Sequence, residues 1–195
     1  MVEKEKIRNL LIVGYNGGGK STLADVLTKT IKDVKKTNNF QRKDFEWKDV
    51  KYRVVDTIGV EDTITDEKIV ELNSLIPEGI SQVLFVIDGK FTTEQIRTFE
   101  VIFKSGIAEY ITIVRTKFSN FKNEGECKKD KVDLNEKINK ICKSIVYVDN
   151  PPINILIIDD DDRETVENNK KIRARSRTIL LDHLEKVCQE KFYNL

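Results

Sequence analysis

The sequence predicts an α/β protein with a mainly parallel, doubly wound sheet of about six strands, one of them antiparallel, and helices on both faces. A continuously apolar run at 83–87 is typical of a strand that is buried on both faces of a sheet, and 110–114 is a second run of the buried type. Amphipathic helical patterns alternate with these runs along the chain, which favours crossover connections between parallel strands. A chain of 195 residues can bury a core without disulfides or metal, so we predict one domain over residues 1–195.

The first predicted strand and helix flank a glycine-rich loop. Ile7 to Val13 form a β-type apolar run that stops at Gly14, and apolar side chains recur at helical spacing between Lys20 and Ile31. Residues 32–43 are polar and aperiodic, which predicts a loop.

A hairpin is predicted next, because Phe45 and Trp47 alternate with charged residues and Lys48-Asp49 forms a turn before a second strand at 52–55. This hairpin supplies the antiparallel strand. The remaining predicted elements are a helix at 67–76, a strand at 83–87, a helix at 93–105, a strand at 110–114, a polar insertion at 119–132, a short helix through 134–145, a last strand at 153–158 and a C-terminal helix at 164–192.

Composition excludes several classes of protein. Lys+Arg is 34 and Asp+Glu is 33, so the net charge of +1 lacks the single-sign field of a dedicated nucleic-acid or anionic-membrane binder. The charged N-terminus lacks the apolar core of a signal peptide, and no run approaches the roughly 20 apolar residues of a membrane span. The three cysteines are scattered without short spacings, which favours reduced thiols. We therefore predict a cytoplasmic protein that neither spans a membrane nor binds nucleic acid.

The loop after the first strand matches the phosphate-binding pattern G-x-x-x-x-G-K-[ST] in its expected context, with a strand before it and a helix after it. Glycines let successive backbone N–H groups point at phosphate oxygens, and the helix adds the positive end of its dipole. Lys20 is expected to reach the β- and γ-phosphates, and the Ser21 hydroxyl to bind Mg²⁺. The predicted nucleotide-binding residues here are Gly14, Tyr15, Asn16, Gly17, Gly18, Gly19, Lys20, Ser21 and Thr22.

Two further positions fit a triphosphate site with Mg²⁺. In Asp56-Thr-Ile-Gly59, which ends a predicted strand, the carboxylate of Asp56 can hold Mg²⁺ through a water and the Gly59 N–H can sense the γ-phosphate. Thr37 is either the switch threonine that closes on Mg²⁺ and the γ-phosphate or an ordinary loop threonine. Lys20 and Thr37 are the predicted catalytic residues, and Ser21, Thr37 and Asp56 are the predicted metal ligands.

The loop at 14–21, the motif at 56–59 and above all the stretch Leu84-Phe-Val-Ile-Asp-Gly-Lys-Phe-Thr-Thr-Glu-Gln95 resemble the immunity-associated (avirulence-induced) GTPases. These belong to the septin-like and chloroplast-import-receptor-like branch of P-loop GTPases. The resemblance covers roughly residues 7–187 and implies a G domain that binds GTP or GDP with Mg²⁺. Relatives can dimerise across the nucleotide face, so a homodimer is implied as well.

The fourth nucleotide motif departs from that family. The expected T/N-K-x-D reads Thr116-Lys117-Phe118-Ser119 here. Lys117 can lay its stem over a purine face, whereas Ser119 stands where a carboxylate would accept two hydrogen bonds from guanine. A loop shift that brings Asp130 or Glu124 into this place is the alternative.

Two other positions bear on the rate of hydrolysis. Val60 follows Gly59, so the water-orienting glutamine of Ras-like enzymes is missing, as it is in the resembled family. Lys90 occupies a position where relatives can carry an arginine.

Asp159 to Asp162 lack the alternating spacing of a calcium loop, so we interpret them as a solvated turn that corresponds by position to the fifth nucleotide motif. The arginines between 173 and 177 are interpreted as a solvated helix surface.

Three functions are compatible with these residues. The leading hypothesis is a guanine-nucleotide switch with slow GTP hydrolysis, regulated by nucleotide-dependent self-association. The alternatives are a nucleotide-controlled assembly module with vestigial hydrolysis and a P-loop ATPase with relaxed base specificity. A small-molecule kinase would need an arginine-rich lid and an acceptor pocket, for which the sequence gives no sign.

Overall fold

The protein folds around one seven-stranded sheet. The computed structural model describes residues 5–15, 17–29, 33–57, 65–89, 92, 106–137 and 144–195. Its elements are β1 (Ile7–Gly14), α1 (Lys20–Leu27), β2 (Asp33–Lys36), β3 (Phe40–Trp47), β4 (Val50–Thr57), α2 (Asp66–Leu75), β5 (Gln82–Asp88), a short 3₁₀ turn (Ala108–Tyr110), β6 (Ile111–Thr116), α3 (Glu124–Lys137), β7 (Ile145–Tyr147) and α4 (Asp160–Val187).

The sheet has the order β2-β3-β4-β1-β5-β6-β7. β1 pairs in parallel with β4 and β5, and β6 pairs in parallel with β5 and β7. β3 is antiparallel to both of its neighbours, so it is the strand of reversed direction that the hairpin predicts. The α/β class, the mainly parallel sheet and its one antiparallel strand are confirmed, and the sheet has seven strands rather than six.

Apolar side chains from the central strands fill a core on each face of the sheet. On one face, Phe85 and Ile113 pack with Leu72 of α2. On the other face, Leu84 and Val114 pack with residues of α1 and α4. Burial on both faces explains why residues 83–87 of β5 are continuously apolar, whereas β6 also buries Thr112, Arg115 and Thr116. No helix among the described residues combines the length and the apolar character needed to cross a membrane.

The predicted loop at 32–43 is wrong for most of its length, because it contains β2 and the start of β3. Its polar sequence conceals a buried ion pair. Arg42 donates from Nε and Nη2 to the carboxylate of Asp44 at 2.8 and 3.0 Å, and from Nη1 to the carbonyl oxygen of Leu75 at 2.6 Å. Charged residues are tolerated inside a sheet when they are paired in this way. The turn at Lys48-Asp49 is confirmed, with φ values of 48° and 61°.

The edge of the sheet beyond β6 differs most from the prediction. Ile145 belongs to strand β7 rather than to a helix, and the polar insertion predicted at 119–132 contains most of α3. The predicted strand at 153–158 is absent, since these residues form no helix and pair with no strand in the described parts of the chain. The C-terminal helix begins at Asp160 instead of residue 164 and ends at Val187. The predicted helix at 93–105 lies outside the described residues.

Candidate nucleotide-binding site

The phosphate loop connects the carboxyl end of β1 to the first turn of α1, the edge of a parallel sheet where ligands commonly bind. Its first residue must be glycine. Gly14 has a φ of 145°, and a Cβ atom there would lie 2.5 Å from the carbonyl oxygen of Val86. Gly19, immediately before α1, has a φ of 94°, which a residue with a side chain rarely adopts. Close contact with β5 and a left-handed turn therefore fix the loop.

Lys20 lies folded over this loop. Its Nζ donates to the carbonyl oxygen of Gly14 at 2.7 Å and to that of Tyr15 at 3.3 Å. The loop also closes on itself, since the N–H of Gly18 donates to the carbonyl oxygen of Tyr15 at 3.2 Å. The ammonium group is thus held beside the loop, where a bound phosphate would compete for it. The side chain of Tyr15 is exposed, Thr22 is half-buried, and Asn16 lies outside the described residues.

Ser21 and Asp56 meet at the position predicted for the metal. The Ser21 hydroxyl donates to Oδ2 of Asp56 at 3.0 Å. Oδ1 of Asp56 is buried and has no hydrogen-bond partner among the described residues. Burial raises the pKa of Asp56, although the Ser21 hydroxyl and the nearby Lys20 charge oppose the shift.

An orphaned carboxylate oxygen beside a serine hydroxyl fits a hard cation such as Mg²⁺, which prefers oxygen ligands. Gly59, the other residue of this motif with a predicted role, lies outside the described residues, as do Val60 and Lys90.

The fourth motif is bonded directly to the phosphate loop. Nζ of Lys117 donates to the carbonyl oxygen of Gly17 at 2.8 Å and to Oδ2 of Asp88 at 2.9 Å. Oγ1 of Thr116 donates to the carbonyl oxygen of Gly18 at 2.6 Å. The end of β6 therefore sets the shape of the loop that follows β1. Sequence reasoning missed the role of Asp88, which was visible only as the last residue of an apolar strand.

Ser119 lies exposed in the turn that follows this motif. Asp130 does not replace the missing carboxylate in this structure, because it accepts two hydrogen bonds from Arg115, at 2.9 Å from Nε and 2.7 Å from Nη2. Glu124 is exposed in the first turn of α3. Arg115 also donates from Nη1 to the carbonyl oxygen of Gly89 at 2.7 Å, so it joins β6, α3 and the residue after β5.

The turn after β7, rather than Asp159 to Asp162, borders the fourth motif. The N–H of Phe118 donates to the carbonyl oxygen of Val148 at 3.2 Å. Burial raises the pKa of Asp149, and Oδ1 of Asn150 is buried with no hydrogen-bond partner among the described residues. Among the described residues, the fourth motif is therefore hydrogen-bonded to the turn after β7 and not to 159–162. The Asn150-Pro-Pro turn was visible in the sequence. It gave no functional signal, because it carries no charge and does not lie at a characteristic distance from the other motifs.

Asp159 to Asp162 instead form the N-terminal cap of α4. Asp159 accepts a hydrogen bond from the N–H of Asp162 at 3.0 Å, and the carboxylate of Asp162 accepts from the N–H of Asp159 at 3.3 Å. This reciprocal arrangement is a capping box, which satisfies the unpaired N–H groups of a helix terminus. The interpretation of these residues as a solvated turn agrees with their place at the start of a helix.

Thr37 lies in the tight turn between β2 and β3, and the register of β3 places Phe40 opposite Thr57, at the same end of β4 as Asp56. The Thr37 hydroxyl accepts a hydrogen bond from the N–H of Phe40 at 3.1 Å. Hydrogen bonds from Thr37 and Asn39 lower the pKa of Glu71 on α2. Thr37 therefore lies near the end of the sheet that carries Asp56, and its hydroxyl is hydrogen-bonded within its own turn and to Glu71 of α2.

The sequence model of the family described as 50S ribosome-binding GTPase matches residues 9–117, more than half of the chain. The chain belongs to this family of P-loop GTPases. The matched range includes the phosphate loop, Asp56 and Gly59, and it ends at Lys117. The chain is therefore a GTP-binding GTPase switch domain. Ser119 lies just beyond the range that the family model matches. No curated protein matches the chain in a sequence comparison.

Solved structures share the fold of this GTPase. Toc33 from Arabidopsis thaliana in complex with Mg²⁺ and GMPPNP has a TM-score of 0.57 at 16% identity, over 94% of this chain and 87% of Toc33. A single-residue variant of Era from Aquifex aeolicus, bound to GDP·AlF₄⁻, has a TM-score of 0.56 at 16% identity, over 95% and 58% of the two chains.

Translation elongation factor SelB from Methanococcus maripaludis, in complex with the GTP analogue GPPNHP, has a TM-score of 0.52 at 19% identity over 95% of this chain. The chain spans 35% of the length of SelB. These likenesses show the α/β P-loop G-domain fold.

Proposed function

We propose that this GTPase is a guanine-nucleotide switch of the immunity-associated type, which hydrolyses GTP slowly and self-associates in a nucleotide-dependent way. The observation that carries the proposal is the pair of contacts from Thr116 and Lys117 to the phosphate loop. Lys117 is held between Gly17 and Asp88, where the fourth motif meets the phosphate loop. The residues expected to bind the base and those expected to bind the phosphates are therefore positioned together. The Leu84–Gln95 stretch supports the finer family assignment.

The proposed metal ligands are Ser21, Asp56 and Thr37, with Asp56 acting through a water. Mg²⁺ neutralises charge on the phosphate oxygens when it is bound. The Ser21–Asp56 contact and the orphaned Oδ1 of Asp56 support the first two assignments. The proposal for Thr37 requires its hydroxyl to leave Phe40 and Glu71, so the β2–β3 turn would have to rearrange when the triphosphate binds. We further propose that the Gly59 N–H contacts the γ-phosphate.

Slow hydrolysis follows from Val60, which cannot orient a water as glutamine does. We expect the monomer to turn over on the order of 10⁻⁴ to 10⁻² s⁻¹, the range of unassisted GTPases. In a dimer across the nucleotide face, Lys90 is proposed to reach the phosphates of the second copy. Lysine lacks the guanidinium fork, so its stimulation is expected to be weaker than that of an arginine.

Single-turnover phosphate release, measured at rising protein concentration, tests this function. We expect a slow rate that increases with concentration in the wild type, a flat rate in Lys90→Ala, and a steeper increase in Lys90→Arg. Lys191→Ala, at an exposed lysine near the C-terminus, is the control and should follow the wild type. Fast turnover by a monomer at nanomolar concentration would exclude a slow, association-dependent GTPase.

The exposure of Ser119 favours a second candidate, in which the base is read only weakly and ATP also binds. A hydroxyl can donate or accept a hydrogen bond, so it tolerates either purine. If the protein self-associates but releases no phosphate, the proposed function becomes that of an assembly module with vestigial hydrolysis.

A further inference from the structure

Residues 153–158, which we call the edge segment, connect the β7 turn to α4 without forming a helix or pairing with a strand in the described parts of the chain. Its sequence is Ile-Asn-Ile-Leu-Ile-Ile, and three of its apolar side chains are strongly exposed: Leu156 (78%), Ile157 (48%) and Ile158 (81%). The backbone of 153–157 makes no hydrogen bond to any other residue in the described parts of the chain. An exposed, apolar and unpaired edge is the kind of surface that natural proteins usually cover or interrupt with charge.

The edge segment is fixed at both ends. On its N-terminal side, three residues of α4 that share a helix face bind carbonyl oxygens of the preceding turn: Ser176 that of Asp149 at 2.6 Å, Arg173 that of Pro151 at 2.6 Å and Asn169 that of Pro152 at 2.7 Å. On its C-terminal side, the N–H of Ile158 donates to Asp162 at 2.8 Å inside the capping box. The segment is therefore anchored at both ends before any partner arrives, which lowers the entropy cost of pairing.

Opposite charges lie at the two ends. Ile153 lines a cavity of about 260 Å³ whose eight lining residues include four basic side chains and one acidic one. The basic ones are Lys29, Lys170, Arg173 and Arg177. At the other end, Asp159 to Asp162 are four consecutive carboxylates, and the Asp160 side chain is 95% exposed.

We propose that the edge segment pairs antiparallel with the edge segment of a second copy of this chain. With Leu156 opposite Leu156 on the two-fold axis, Ile153 of each copy lies opposite Asp159 of the other copy. Within one copy these two residues are about 20 Å apart when the six-residue stretch is paired as a strand. Each acidic cap thereby meets the basic cavity of the other copy, so the pairing is self-complementary in charge as an isologous interface requires. Ile155 and Ile157 of the two copies face each other on one side of the ribbon, and the Leu156 pair lies on the other.

This interface is separate from the nucleotide face and does not rest on the proposed function. A ribbon of two short segments buries less surface than a standard stable interface, so the dimer should be weak and form at high protein concentration. It should form equally with GDP, with a GTP analogue and without nucleotide, whereas association across the nucleotide face depends on the nucleotide.

Sedimentation equilibrium of the full chain, with and without GDP, tests the pairing. Leu156→Lys places two ammonium groups opposite each other on the axis and should weaken dimerisation by about tenfold or more. The matched control is Val132→Lys, which changes a 57% exposed valine on α3 and should leave the dimerisation constant unchanged. A dimer that forms only with nucleotide, or that Leu156→Lys leaves intact, would overturn the proposal.

A charge exchange tests the register. Asp161→Lys and Lys29→Glu should each weaken the dimer several-fold, and the double variant should recover part of the loss because the contact between positions 161 and 29 is re-formed with opposite sign. Both positions are exposed and lie outside the capping box. A double variant no better than either single one contradicts the register.

Hydrogen exchange of the wild-type protein tests the pairing without any substitution. The amides of 154–157 should exchange more slowly in concentrated than in dilute protein. Equal exchange at both concentrations would exclude the pairing, as would a protein that remains monomeric throughout the concentration range.

Discussion

The phosphate loop and the edge of the sheet beyond β6 are both held by side chains that bind backbone carbonyl oxygens, but from different sources. The loop is bound by Lys20 from its own helix and by Thr116 and Lys117 from the end of β6. The turn after β7 is bound by residues of one helix, α4. In the first region the same residue types also serve nucleotide chemistry, so their identity and spacing follow a motif. In the second they serve only the local structure, and no motif marks them.

The largest expected effect concerns Arg115, which joins β6 to α3 and to the residue after β5. Its guanidinium is buried and pairs with Asp130 of α3 and with the carbonyl oxygen of Gly89. Arg115→Gln should reduce the free energy of unfolding by about 3–5 kcal/mol, because it leaves the Asp130 carboxylate without its buried partner. Urea denaturation measures this loss.

Arg163→Gln is the matched control for that variant. Arg163 pairs with Asp160, but both side chains are exposed, at 71% and 95%. Exposed pairs contribute about 0–1 kcal/mol, so this variant should differ little from the wild type. Equal losses in the two variants would show that Arg115 does not hold β6 to α3.

The next effect concerns Asp56. Asp56→Asn should weaken Mg²⁺-dependent nucleotide binding by about 10–100-fold, as loss of an outer-sphere metal partner typically does. It should also raise the Tm of the nucleotide-free protein, because it removes a desolvated charge. Calorimetry with and without Mg²⁺ measures both, and Asp133→Asn, at an exposed position on α3, should change neither. A variant that binds nucleotide normally with Mg²⁺ would remove Asp56 from the site.

Asp56 also gives a dependence on pH. Burial raises its pKa in the folded protein above the unfolded value, so the folded state binds this proton more tightly. Its contribution to stability is therefore present at low pH and is lost as the pH rises through the raised pKa. Mg²⁺-dependent binding changes in the opposite direction and weakens as the pH falls through that pKa, since the metal needs the carboxylate. Asp56→Asn should flatten both profiles.

The smallest effect concerns the base. With a neutral hydroxyl at Ser119, the preference for GTP over ATP should be about 1–2 kcal/mol, and Ser119→Asp should increase it by giving guanine two charge-assisted acceptors. Competition of GTP against ATP measures the preference, with Ser119→Asn as the uncharged control. A wild type that already rejects ATP strongly, and gains nothing from Ser119→Asp, would show that another group reads the base.

Prediction from sequence succeeded where the local structure permits only one type of residue at a position. Gly14 had to be glycine because β5 passes within 2.5 Å of where its Cβ would lie, and the strand–loop–helix pattern located that position. β5 was visible because burial on both faces leaves residues 83–87 without a polar side chain, and β6 because its first four residues are apolar except for Thr112. The meeting of Ser21 and Asp56 followed from parallel strands that end at one edge.

Prediction failed where tertiary partners decide the structure. The start of β3 was hidden because Arg42 and Asp44 neutralise each other inside the sheet, which a hydropathy pattern reads as exposed, and β2 was hidden because it is an exposed, polar edge strand. Residues 145–147 became a strand because the free edge of β6 accepts them, and 153–158 remained unpaired although their sequence is strongly β-forming. Arg173 and Arg177, predicted to face water, instead donate to the carbonyl oxygens of Pro151 and Leu27.

Titration of the purified chain with a fluorescent GTP analogue in the presence of Mg²⁺ tests the nucleotide site most directly. We expect saturable binding at one site that requires Mg²⁺ and weakens by about 2–3 kcal/mol in Lys20→Ala, since the phosphates lose a charge-assisted contact. Lys29→Ala, an exposed lysine just past the end of α1, should bind like the wild type. Binding that is absent in the wild type, or equally strong in Lys20→Ala, would contradict the assignment of Gly14 to Ser21 as the phosphate site.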